Sequence, residues 1–182
     1  MHINKPVTDL KFNVAQLLRE DIGGRRNYTF TEALLPLDGA TALRNISGTA
    51  RFTRTASGVL ADVQASGEVE LQCIRCLTAV VVPLAVSFRD EFHSVAEVNT
   101  GAVLPKPIED DPFFITESHL VDLGEVIREY ALIDMPMRPL CREDCQGLCP
   151  RCGADLNEGP CDCQDDEGDD RFDVLKKLLD TN

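Results

Sequence analysis

NISGTARFTRTASGVLADVQASGEVELQC, residues 45–73, is the stretch whose reading decides the fold. Small and apolar residues take every second place: Ile46, Gly48, Ala50 and Phe52, then Val59, Ala61, Val63 and Ala65, then Val69, Leu71 and Cys73. A period of two marks a strand with one face buried. Ser57-Gly58 and Ser66-Gly67 predict turns between these runs. VVVPLAVSFRDEF, residues 80–92, continues the pattern with Val80, Val82, Leu84, Val86 and Phe88 on one face. Pro83 has no N–H for a ladder, so it predicts an edge strand or a bulge. Strands that follow one another through short turns pair antiparallel. The expected fold is therefore α+β: an antiparallel β-meander or open barrel packed by one helix, with a small C-terminal Cys-rich, zinc-ribbon-like module.

The packing helix is predicted in VDLGEVIREYALIDMP, residues 121–136. Asp122 and Glu125 have capping-box spacing. Leu123, Val126, Ile127, Tyr130 and Ala131 recur on one helical face, and Pro136 ends it. A shorter helix is expected in NVAQLLRE, residues 13–20, with Asn13 as N-cap, Gln16 in the capping box, and Gly23 and Gly24 as terminators. Residues 93–117 read as a proline-, glycine- and acid-containing loop. Beyond the cysteines, QDDEGDD predicts an acidic linker and DRFDVLKKLLD a last amphipathic helix capped by Asp170. The expected organisation is a core domain over 1–137, a Cys-rich metal-binding module over 138–165, and the acidic linker with its helix over 166–182.

Composition limits the function classes. The 182-residue chain is 43% hydrophobic but only 5% aromatic, without tryptophan, so an aliphatic core is expected. MHINKPVTDLKFNV lacks the apolar stretch of a secretory signal, and TAVVVPLAVSF is too short to span a bilayer. A cytoplasmic protein without a membrane partner is expected. The net charge of −13 is uneven: residues 1–60 carry +3, residues 61–140 carry −9 and residues 141–182 carry −7. An acidic field opposes broad binding to a phosphate backbone. The local basic excess, Lys11, Arg19, Arg25 and Arg26 beside Tyr28 and Phe30, is the candidate contact for RNA or a partner, with a solvated helix end as the alternative.

Six of eight cysteines lie in CREDCQGLCPRCGADLNEGPCDC, residues 141–163. In a reducing compartment, clustered thiols more often bind metal than form disulfides. CPRCG, residues 149–153, has the form of a metal knuckle, with Gly153 permitting the tight turn. Cys149, Cys152, Cys161 and Cys163 are the expected ligands of a tetrahedral zinc, with Cys145 the first substitute and Cys141 the second. Four thiolates leave no open coordination position, so the zinc is expected to be structural. A second, shared metal is possible but crowded. Cys73 and Cys76, in CIRCLT, lack the following glycine; a redox dithiol, ligation shared with the C-terminal cysteines and packing at a strand turn stay open. No catalytic motif is present: His2, His93 and His119 stand in none, and no phosphate-binding or nucleophile-elbow pattern occurs. Neither an enzyme nor a small-molecule substrate is expected.

The order of these motifs carries a resemblance. C-x-R-C-L at 73–77, a helix ending in Met-Pro, C-x-x-x-C-x-G-L-C-P-x-C-G-x-x-L-N at 141–157, a C-x-C, and D-x-R-F-x-x-L-x-x-L at 169–178 resemble the YceD family, the large ribosomal RNA subunit accumulation proteins. The likeness runs over residues 10–180, with Asp170 where the family usually has proline. It implies a non-enzymatic factor for accumulation or processing of 23S rRNA in large-subunit assembly. The partner is then that rRNA or an assembly intermediate, met directly or through a basic ribosomal protein. Members lacking the C-terminal cysteines imply that the metal module stabilises this branch. The more widespread Cys73/Cys76 element then carries the common role, with Arg75 as an RNA or protein contact. An acidic protein that holds a basic assembly factor without touching RNA is the alternative, and a thiol-redox or metal-handling protein the outsider.

Overall fold

The computed structural model describes residues 10–105 and 112–163. The predicted C-terminal helix lies outside the described residues. Seven strands form one sheet: β1 Lys11–Asn13, β2 Arg25–Asp38, β3 Thr41–Arg54, β4 Gly58–Gln72, β5 Ala79–Ser94, β6 Phe114–Ile115 and β7 Leu120–Asp122. Helix α1 (Ala15–Leu18) follows β1, and α2 (Leu123–Asp134) follows β7. The spatial order is β1-β7-β6-β5-β4-β3-β2, antiparallel except where β5 and β6 run parallel. The meander expected from residue 45 is the centre of this sheet.

The longest ladder is the β4–β5 hairpin, unbroken from Gly58↔His93 to Gln72↔Ala79. Val59, Ala61, Val63, Ala65 and Val69 of β4 are buried, as are Leu84, Val86, Phe88 and Phe92 of β5, so the period of two is the core face. On its other side β5 pairs with β6 only at His93 and Ser94. Pro83 therefore sits where β5 is an edge, as the sequence expected. The sheet curls into a half-barrel. Its two ends meet through rings: Phe12 on β1 lies 5.2 Å from Tyr28 and 6.1 Å from Phe30 on β2, and 5.5 Å from Phe52 on β3. Helix α2 packs inside the curve. It buries Leu123, Val126, Ile127 and Ala131, stacks Tyr130 on Phe88 at 4.9 Å, and donates from Arg128 Nη1 to the Leu37 carbonyl at 3.3 Å. Asp122 caps it by accepting from the Gly124 amide at 2.9 Å, and it ends before Pro136.

Four local expectations need correction. Ser66-Gly67 makes no turn, because β4 runs straight through it. Gly67 is there for close approach: a Cβ would lie 2.9 Å from the Arg44 carbonyl oxygen and from Leu43 Cγ, beside the β3 bulge between Arg44 and Ser47. The meander also begins twenty residues earlier than 45, with β2. There the alternation changes phase, since Phe30 points inward but so do Leu35 and Leu37. Asn45, left-handed at φ 53°, makes the matching slip in β3 between Leu43 and Ile46. Asn13 belongs to β1; α1 has Val14 as N-cap, and Asn13 Oδ1 accepts from Ala15 N at 3.0 Å instead. Lastly, β6 occupies part of the expected 93–117 loop.

Phe52 is fully buried where the two sheet ends meet. Phe52→Ala should cost about 3–5 kcal/mol in urea unfolding, and a loss below about 1 kcal/mol would refute closure by this aromatic contact.

Candidate metal centre

The β4–β5 hairpin is tipped by Cys73–Thr78. Cys73 N donates to the Thr78 carbonyl at 2.9 Å and Leu77 N to the Cys73 carbonyl at 2.9 Å. The segment 149–154 repeats this pattern: Cys149 N donates to Ala154 O at 2.8 Å and Gly153 N to Cys149 O at 2.9 Å. Both turns place a left-handed residue after the second cysteine, Gly153 at φ 74° and Leu77 at φ 62°. CIRCL is thus the same knuckle as CPRCG. The missing glycine hides it in the sequence, because Leu77 adopts a backbone conformation that leucine seldom takes.

The cysteines fall into two groups of four, Cys149/Cys152/Cys161/Cys163 and Cys73/Cys76/Cys141/Cys145. Within each, all four sulfurs lie within 4.8 Å of one another, and each group could hold a metal ion. The first group contains the four ligands expected from spacing. Cys145 and Cys141, expected as its substitutes, stand elsewhere: Cys145 Sγ is 3.8 Å from Cys73 Sγ, and Cys141 Sγ is 3.6 Å from Cys76 Sγ. Both separations are far beyond a disulfide bond of about 2.05 Å, and all eight thiols are free. A second site is not crowded, because the hairpin tip supplies half of it.

Backbone contacts hold the C-terminal segment on that tip. Ile74 N donates to Pro139 O at 3.0 Å and Leu148 N to Arg75 O at 3.1 Å. Arg75 Nη1 donates to Cys145 O at 2.7 Å. Gly147, at φ 77°, passes so near that a Cβ would stand 3.1 Å from the Arg75 carbonyl oxygen. Leu140 and Leu148 pack against Cys73, Cys76 and Cys145. Asn157, from the ribbon loop, reaches the hairpin-tip group. Its Nδ2 donates to Cys145 Sγ at 3.5 Å, and its Oδ1 accepts from Gln146 N at 2.8 Å and Arg142 Nη2 at 2.7 Å.

The electrostatics of the groups follow from these turns. The Cys76 amide, ahead of the Cys141 and Arg75 amides, favours the Cys73 thiolate and lowers its pKa to about 6 against the cost of burial. Cys149 is lowered to about 6 by the amides of Cys152 and Arg151, the latter 3.4 Å from its sulfur. The Thr78 hydroxyl lowers Cys76. Cys141 is exposed as a residue, but its sulfur is turned into the group. Desolvation there, then hydrogen bonds with Cys145, Cys76 and Cys73, push it up to about 12. Cys163 is also raised to about 12, first by its hydrogen bond with Cys152. The hairpin-tip group thus favours the thiolate at Cys73 and Cys76 and the ribbon group at Cys149, while Cys141 and Cys163 hold their protons, since four adjacent anions need a cation. Loading a metal must release those protons.

The other sequence candidates are dispersed. Lys11 Nζ is 3.6 Å from Asp122 Oδ2, and Arg26 is ion-paired and hydrogen-bonded to Glu20. Arg19 and Arg25 are exposed, at the end of α1 and the start of β2. Arg75 serves the docking just described. Glu91, beside His93, accepts from the Thr55 and Ser57 hydroxyls at 2.6 and 2.5 Å, a latch at the β3–β4 turn that lowers its pKa. Among the described residues, no helix is long and apolar enough to cross a membrane.

Fold and thiols together define a class: a curled β-sheet protein whose longest hairpin ends in a cysteine knuckle, with a second knuckle docked on it. Residues 61–179 match the family described as large ribosomal RNA subunit accumulation protein YceD, and the chain belongs to that family. The match starts at β4 rather than at residue 10, so it holds the hairpin, α2 and all eight cysteines but not β1–β3. A Mycobacterium leprae protein is 34% identical over 88 residues, 47% of this chain and 37% of its own length. The protein YlbN of Bacillus subtilis is 30% identical over 121 residues, 65% of this chain and 64% of YlbN. The chloroplast YCED homolog 1 of Arabidopsis thaliana, named for large ribosomal RNA subunit accumulation, is 33% identical over 70 residues, 38% of this chain and 22% of that protein. The chain thus spans less than two thirds of the length of these relatives. No solved structure matches it.

Protons compete for the thiolates, so metal affinity must rise with pH. Metal affinity measured by chelator competition should therefore fall as the pH is lowered; an affinity independent of pH would contradict thiolate ligation. Asn157→Ala should weaken metal binding about 10- to 100-fold, the usual cost of removing a group that orients a ligand. Competition with a chromogenic chelator measures it.

Proposed function

We propose that this protein is a non-enzymatic, cytoplasmic factor for accumulation and processing of 23S rRNA during large-subunit assembly, with structural zinc at Cys149, Cys152, Cys161 and Cys163. The observation that carries the reading is the family match over residues 61–179, which contains the hairpin and both cysteine groups. Zinc is the metal of choice for an all-thiolate tetrahedral set at ribbon spacing. Four thiolate ligands close the coordination sphere, so the metal holds a short polar segment together and performs no chemistry. Core domain, metal module and acidic tail divide near residues 137 and 165.

The manner of contact is more finely balanced. Of the basic residues proposed to meet RNA, Lys11 and Arg26 face carboxylates and Arg75 holds the Cys145 carbonyl. Arg19 and Arg25 are the better candidates for phosphate. Against so small a cationic surface stands a net charge of −13. That imbalance favours a second reading, in which the acidic surface holds a basic ribosomal protein or assembly factor and the rRNA is reached through it.

Ultraviolet crosslinking of the tagged protein in cells, with sequencing of the attached RNA, separates the two. Reads concentrated in one region of 23S rRNA support direct contact. Arg19→Ala with Arg25→Ala should then lower affinity and make the log–log salt slope shallower by about one for each phosphate no longer neutralised. RNA at background, together with a protein complex that weakens steeply with salt, supports the second reading. Unchanged 23S rRNA levels on deletion of the gene would sink both.

A further inference from the structure

The group at Cys73, Cys76, Cys141 and Cys145 lies outside the ribbon and has its own geometry. Its sulfurs pair across the chain, Cys73 with Cys145 at 3.8 Å and Cys76 with Cys141 at 3.6 Å. Four thiolates at about 2.3 Å from one ion stand about 3.8 Å apart along the edges of a tetrahedron. Cys73, Cys76 and Cys145 are buried and backed by Leu140 and Leu148. The knuckle that presents Cys73 and Cys76 is closed by the same two hydrogen bonds as the one in the ribbon.

We propose that these four cysteines form a second, separate site for a thiophilic divalent ion such as zinc, and that this ion clasps the β4–β5 hairpin tip to the C-terminal segment. The ribbon ligands lie within fifteen residues, 149–163, so an ion there orders only local chain. The clasp ligands are 72 and 65 residues apart along the chain. Its ion therefore closes a long loop and fixes the tail against a folded sheet. The two ions share one short connector, residues 145–149, which is seated on Arg75 by the Leu148 and Cys145 contacts. In this arrangement the clasp needs the β4–β5 ladder already paired, whereas the ribbon site assembles from its own segment. Arg75 is a positioning residue of the clasp.

Native mass spectrometry of the full chain purified with zinc tests the proposal. Wild type should carry two ions. Cys73→Ser with Cys76→Ser should carry one, kept by the ribbon, and Cys149→Ser with Cys152→Ser should carry one, kept by the clasp. One ion in wild type, or no ion lost from the Cys73/Cys76 variant, would overturn it. So would a metal-free chain lighter by the hydrogens of a disulfide. Two measurements on the wild type cover the case of a variant that fails to fold. Thiolate-to-cobalt charge-transfer absorption should saturate at two equivalents of cobalt(II), and saturation at one would refute the second site. Stripping the metal with a chelator should speed hydrogen exchange at the Ile74 and Leu148 amides, and unchanged protection there would refute the clasp. None of these readouts involves rRNA, so failure here leaves the ribosomal reading standing.

Discussion

The pairing of β4 with β5 is the interaction on which the rest of this structure depends. Its ladder runs without a bulge from the floor of the half-barrel to the knuckle at Cys73. One face supplies Val59, Val63, Val69, Val86, Phe88 and Phe92 to the core, where α2 covers them. The tip supplies two thiols and the carbonyl and side chain of Arg75. A ladder this long has a defined register, because a slip of one residue would turn the whole apolar face outward. Core and cysteine site are therefore positioned by the same constraint. Burial fixes the hairpin, and the hairpin aims Cys73 and Cys76.

The C-terminal segment is organised by different physics. Residues 141–163 contain few large apolar side chains and much charge, too little to fold by burial. Their order comes from turns closed by amides, from sulfurs gathered in fours, and from docking on the hairpin tip. Asn157 ties the ribbon loop at Asp155 to Arg142, Cys145 and Gln146 through four side-chain hydrogen bonds and its own amide. The segment behaves as an extension of the β4–β5 tip, and contacts made by either will be felt by both.

Charge shapes the functional argument as strongly as the thiols do. The cationic side chains are few, and several are committed to intramolecular partners. A surface of this charge opposes broad contact with a phosphate backbone and favours basic groups.

Much of this was legible in the sequence because it is local. The alternation in β4 and β5, the capped stripe of α2 and the CPRCG knuckle each lie within a few residues, where spacing reports geometry directly. What hid β2 was a change of phase: Phe30 and Leu35 are both inward, and a period of two cannot survive the slip that Asn45 matches in β3. Gly67 looked like a turn because a glycine read alone does not reveal whether it bends the chain or admits a neighbour. Asp38-Gly39 is the local signal of the β2–β3 turn. By itself the sequence determined the α+β class, the meander and the packing helix, and it put the four ribbon thiols first among six candidates. Only the tertiary structure decided that Cys73 and Cys76 join Cys141 and Cys145. Those ligands are brought together by a folded sheet across 65 to 72 residues of chain, and no local spacing encodes a contact of that range.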